Sequence, residues 1–131
     1  MNKTILVVED DPDMRAGLQL SLEIEGYNVL TANDGAEALN LLASSVPHLI
    51  LADLRMPQMN GLRLLDEIRG NEMWHDIPVI VLTAVADPKI QSDVTWRGAH
   101  ACVTKPFELK TLLDTIEGAL CNASRQQAQR A

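Results

Sequence analysis

Cysteine is scarce: the chain has two, Cys102 and Cys121, in 131 residues. They form no CxxC pair and have no histidine cluster nearby, so neither a disulfide framework nor a zinc site is expected. Both read as reduced thiols, with Cys102 buried. Long hydrophobic runs are also missing. The longest are about five residues, far short of the roughly twenty that span a bilayer. The opening Met1-Asn2-Lys3-Thr4 leads straight into a strand-like run with no secretory leader pattern, so a cytoplasmic location is expected and no membrane association. Basic residues are the minority charge, 11 Lys and Arg against 18 Asp and Glu, for a net charge of −7. Without a basic stripe, the domain is not expected to bind nucleic acid directly.

What is present suffices for one core. Apolar residues make up 47% and charged residues 22% of a length that suits a single domain. Strand-length apolar runs alternate with helical patterns. The runs are Ile5–Val8, Asn28–Thr31, His48–Ala52, Val79–Leu82 and, more weakly, Ala101–Thr104. Between them, Met14, Leu18 and Leu22 share a helix face behind Pro12, which is placed to open that helix. Ala36, Leu39, Leu42 and Ala43 follow Asp34-Gly35, and Leu62, Leu65 and Ile68 follow Gly61. Asp87-Pro88 starts a helix with Ile90 and Val94 on one face and Gly98 as its stop. Leu109, Leu112, Leu113, Ile116 and Leu120 form the clearest apolar stripe. The tail from Cys121 to Ala131 loses that stripe and reads as helix fraying into a linker or free end.

A fivefold β-α repeat with uniformly apolar strands predicts a parallel sheet covered by helices on both faces. Right-handed crossovers then bring the C-terminal ends of all strands to one rim, where such sheets bind ligands. The first strand ends in Glu9, Asp10 and Asp11, the third in Asp53, the fourth in Thr83 and the fifth in Lys105. Singly, each has an ordinary explanation: a turn or cap for an Asp, β propensity for the Thr, a solvated surface site for the Lys. Together on one rim they suit magnesium-assisted phosphoryl transfer. Two carboxylates about 4 Å apart repel by roughly 4 kcal/mol at an effective dielectric near 20, and a hard divalent cation reverses that repulsion. Asp53 has the chemistry of a nucleophilic carboxylate, Lys105 supplies a point charge and Thr83 a hydroxyl donor. Asp11 reads as a helix N-cap beside Pro12, and Asp13 as an acid in that helix's first turn.

The stretches VVEDD, LADLRMPQMNG, VLTA and KPF, in this order and spacing, resemble a response-regulator receiver domain of two-component signalling over roughly residues 3 to 121. The resemblance implies a flavodoxin-like (βα)5 fold with strand order 2-1-3-4-5. Residues 1–121 would be the receiver domain and 122–131 a polar tail or the start of a linker. It implies Asp53 as phosphoacceptor from the phosphohistidine of a sensor kinase or phosphotransfer protein. Mg²⁺ would be held by Asp10, Asp53, the backbone carbonyl of Arg55 and, through water, Glu9. Thr83 and Lys105 would engage the phosphoryl oxygens, Ala84 would leave the site accessible, and the Lys105-Pro106 bond would be cis. No catalysis beyond the protein's own phosphorylation and dephosphorylation is implied. The conformational output would appear on the fourth helix, fifth strand and fifth helix, a face that also serves as a possible homodimer contact. Trp74 and Trp96 are its candidate exposed anchors, with part-buried packing as the plainer alternative. One position departs from the family: Cys102 stands where a Tyr or Phe is usual, and a thiol cannot reproduce a ring's change in buried area.

Two other readings compete. An aspartate-nucleophile phosphatase would carry a DxD motif with a general acid two residues after the nucleophile, and here that position is Arg55. A receiver-like module that is never phosphorylated would bind a partner only.

Overall fold

Five strands alternate with five helices in a computed structural model that describes residues 2–54, 61–84 and 87–130, the stretch 124–130 by its backbone. They are β1 (Thr4–Val8), α1 (Pro12–Ile24), β2 (Asn28–Ala32), α2 (Gly35–Ser44), β3 (Leu49–Asp53), α3 (Gly61–Arg69), β4 (Val79–Thr83), α4 (Pro88–Trp96), β5 (Ala101–Thr104) and α5 (Leu109–Arg130). The strands form one sheet in the order β2-β1-β3-β4-β5, every pair parallel. This is the expected flavodoxin-like topology, and its chain reversal falls between β1 and β3.

The apolar strands need cover on both faces because their alternate side chains point to opposite sides. Leu6, Val8, Ile50, Ala52, Val79 and Val81 join Ala38 and Leu42 of α2, Leu64, Leu65 and Ile68 of α3 and Val94 of α4 in one core. Ile5, Val7, Leu49, Leu51, Ile80 and Leu82 join Leu18 and Leu22 of α1 and Leu112, Ile116, Ala119 and Leu120 of α5 in the other. Each fully buried Leu or Ile is worth about 1.5–3 kcal/mol over leaving it exposed. A one-residue slip of any inner strand would exchange its two faces, so packing sets the register.

Local chemistry sets the helix starts. Asp11, Asp34 and Asp87 are N-caps whose carboxylates accept backbone N–H groups of the first turn, and Pro12 and Pro88 open α1 and α4. Asp11 caps as expected, and Asp13 lies in the first turn of α1.

Three local readings differ. On α2, Ala38 and Leu42 turn inward while Ala36 and Ala43 face solvent. Cys102 is part-buried rather than buried, because β5 is an edge strand with every residue half covered. The polar tail continues as helix to Arg130 instead of fraying after Leu120, although burial ends near there and Cys121 and Asn122 are exposed. Polar side chains remove the apolar stripe without opposing helical backbone, and Gln and Arg are good helix formers.

Candidate functional site

The carboxyl ends of β1, β3, β4 and β5 come together on one rim. Register pairs Val8 with Ala52, so Glu9 and Asp53 follow side by side at the reversal of strand order. Asp53 lies opposite Leu82, and Thr83 lies opposite Thr104 with Lys105 next in the chain. Lys105 donates its backbone N–H to the Thr83 carbonyl at 2.7 Å. The Lys105-Pro106 peptide is cis.

Carboxylate oxygens of Glu9, Asp10 and Asp53 lie within 4.8 Å of one another. Glu9 and Asp53 are buried, at 2% and 8% exposure, whereas Asp10 is open to solvent. Lys105 Nζ donates to Asp53 Oδ2 at 2.8 Å and stands 3.6 Å from Glu9 Oε2. That second distance is an ion pair rather than a hydrogen bond, and Glu9 Oε2 is a buried oxygen that accepts no hydrogen bond. Thr83 is buried at 1% exposure on the same rim, and Ala84 beyond it is exposed.

The electrostatics follow from this crowding. Burial raises the Glu9 carboxyl most, and the hydrogen bond and like charge of Asp53 raise it further. Lys105 and the Asp11 backbone N–H pull the other way, leaving it at about 7. Burial alone would lower Lys105, but the hydrogen bond and charge of Asp53, with Glu9 behind it, hold the ammonium above its ordinary range. A carboxylate trio with one unsatisfied buried oxygen and an open acid at the mouth fits a hard divalent cation. Glu9, Asp10 and Asp53 are the residues that would hold it. The Arg55 carbonyl lies outside the described residues.

Several contributors were not read from the sequence. Arg15 of α1 donates Nη1 to the Glu9 carbonyl at 2.9 Å. Its only linear signal is an Arg in the first helical turn after the acids. Gly61 opens α3 against the backbone of β3. A Cβ there would lie 2.7 Å from the Asp53 carbonyl oxygen, so the close approach requires glycine. Gln91 of α4 donates its amide to Thr104 Oγ1 at 3.3 Å, beside the site. Cys102 sits opposite Val81, two register pairs short of Thr83, and packs against the core, where burial pushes its thiol up. Of the two tryptophans, Trp96 is 88% exposed on α4 while Trp74 packs against the core.

An open parallel sheet with an acid trio at its reversal point, reached by a lysine from the edge strand, defines a class of small α/β domains. A family model described as the response regulator receiver domain matches residues 5–117. The chain is 36% identical over 116 residues to the transcriptional regulatory protein KdpE of Mycobacterium tuberculosis, covering 88% of this chain and 50% of that protein. It is 41% identical over 116 residues to response regulator RR06 of Streptococcus pneumoniae, covering 88% and 52%. Among solved structures, a signal receiver domain of a signal transduction histidine kinase from Syntrophus aciditrophicus superposes with a TM-score of 0.85 at 33% identity, over 92% of this chain and 91% of that one. Chemotaxis response regulator CheY4 of Vibrio cholerae gives 0.86 at 29% identity, over 91% and 99%. The chain belongs to the response-regulator receiver family, whose members are phosphorylation-controlled signalling switches. It spans about half the length of the curated relatives it matches. The phosphatase and the unphosphorylated module gain no support. Among the described residues no helix is long and apolar enough to cross a membrane.

Proposed function

We propose that Asp53 is the phosphoacceptor of this switch and that Glu9, Asp10 and Asp53 hold Mg²⁺, with the Arg55 carbonyl as a further ligand. The observation that carries the reading is the Asp53 carboxylate, set 2.8 Å from Lys105 Nζ and within 4.8 Å of the Glu9 and Asp10 oxygens. An Asp53 oxygen attacks phosphorus, the bond to the donor's leaving group breaks, and an acyl phosphate forms on Asp53. When bound, Mg²⁺ neutralises the acids and the phosphoryl oxygens. Lys105 offers its ammonium to one phosphoryl oxygen and Thr83 its hydroxyl to another, so the new negative charge is tolerated. No general acid stands two residues after Asp53, which suits a persistent signal rather than rapid turnover.

The donor is a phosphohistidine of a sensor kinase or phosphotransfer protein, and the protein works in the cytoplasm. Phosphorylation shifts the population of α4, β5 and α5 conformers, a face that contacts a target, a second copy or an attached output domain. With Cys102 at the usual ring position, the shift passes through the loop after β4 and movement of α4. Incubation with acetyl phosphate and Mg²⁺, read by intact mass, tests the assignment. A gain of one phosphoryl group is expected in the wild type and none in Asp53→Asn. An equal gain in both would place the acceptor elsewhere.

A further inference from the structure

We propose that Arg15 is a positioning residue for the cation site, setting the peptide plane that joins two of the acids. The proposal rests on the reading that Glu9, Asp10 and Asp53 hold Mg²⁺. β1 makes its last sheet bond through the Glu9 N–H to the Ala32 carbonyl at 3.0 Å, and α1 begins at Pro12. The connection is therefore Glu9, Asp10 and Asp11, and two of these three residues belong to the acid trio. The Glu9 carbonyl and the Asp10 N–H lie in one rigid peptide plane. Whatever holds that carbonyl sets the orientation of the plane and so restrains, through ψ of Glu9 and φ of Asp10, the direction in which both Cα–Cβ bonds leave the chain.

Arg15 Nη1 is the group that holds it, at 2.9 Å in a part-buried setting. Its own backbone N–H donates to the Asp11 carbonyl at 2.9 Å, and Asp11 Oδ1 accepts from the Asp13 and Met14 N–H groups. The first turn of α1 thus grips the connection at both ends, and the grip on Glu9 comes from a side chain. A charge-assisted bond to a carbonyl is stronger than a neutral one, which matters where three carboxylates repel each other out of alignment.

Two roles for a cation here predict opposite signs. If Arg15 acted only by its charge, it would oppose Mg²⁺, and removing it would tighten binding. If it positions the acids, removing it loosens binding despite the lost positive charge. Loss of a group that orients metal ligands typically costs 10–100-fold in affinity.

The test is titration of the full chain with MgCl₂, followed by backbone amide shifts. Arg15→Met is expected to weaken binding by roughly tenfold. Arg15→Lys, which keeps the charge and an ammonium donor but not the planar fork, is expected to fall between Met and wild type. Should Arg15→Met fail to fold, Arg15→Lys carries the test by a measurable weakening. With acetyl phosphate, the phosphorylation rate of either variant is expected to return toward wild type at saturating Mg²⁺, a split that a general loss of stability would not produce. Unchanged or tighter Mg²⁺ binding in the variants would overturn the inference alone. Absence of saturable binding in the wild type would overturn the metal reading, and this inference with it.

Discussion

Glu9 is the most strained group of the site, a buried carboxyl with one oxygen that no donor reaches. Its pKa stands at about 7 against an ordinary 4.5. A group raised in the folded state binds its proton more tightly there than in the unfolded chain. Its stabilising contribution is complete below pH 4.5 and is lost as pH rises through about 7. Without divalent cation, the urea midpoint is therefore expected to fall across that window, and Glu9→Gln is expected to flatten the decline. With Mg²⁺ present the ionised form is the one stabilised, so the decline should shrink or reverse. A metal-free midpoint that climbs between pH 4.5 and 7 would contradict the raised value.

Helix α4 is held unequally along its length. Among the described residues, the hydrogen bond that ties its start to β5 is Gln91–Thr104 at 3.3 Å. At its end Arg97 pairs with Asp93 of α4 and Asp66 of α3, and Arg69 of α3 binds the Gly98 carbonyl through Nε at 3.0 Å and Nη2 at 2.7 Å. Arg69 Nη1 also binds the carbonyls of His75 and Ile77, so one guanidinium gathers the ends of α3 and α4 and the entry to β4. Burial lowers its pKa, with Asp76 opposing, but an arginine remains charged. Arg69→Met keeps the aliphatic stem and leaves three carbonyls without this donor. A loss of about 2–3 kcal/mol in urea unfolding is expected, with phosphorylation of Asp53 retained because Arg69 lies away from the rim. An effect under about 0.5 kcal/mol, the range of ordinary surface changes, would show that water replaces the guanidinium.

Across the fold, a cation held by the proposed acid trio would link sheet stability to metal. Three acids from β3 and the end of β1 share one small volume, so the metal-free protein carries repulsion that a bound cation removes. Any ligand that binds only the folded form stabilises by mass action, about 2.7 kcal/mol at one hundred times its Kd. Thermal unfolding in saturating Mg²⁺ is expected to occur several degrees above that in chelator, and Asp10→Asn should remove most of the difference. An equal rise in the Asp10→Asn protein would mean that the ion acts elsewhere.

Much of this was legible in linear order. Glu9, Asp10, Asp53, Thr83 and Lys105 each follow an apolar run, and a parallel β-α repeat can only deliver such ends to one rim. The caps Asp11 and Asp87 act within one helical turn of themselves, so adjacent residues were enough to find them, whereas Asp34, read as a turn residue, caps α2 as well. The Arg15 grip, the Arg69 hub, the close pass of Gly61 and the half-exposed Cys102 were not legible. Each depends on how far one element slides or turns against another before their side chains lock, or on which strand ends up at the sheet edge. Alternation and chain direction specify which residues share a rim, because handedness and strand polarity act on every copy of the repeat alike. The distances that would let the rim hold a cation, the Arg15 bond beside it and the Arg69 bonds at the far end of α3 and α4 arise only when the helices settle onto the sheet, because packing between distant segments sets the last few ångströms.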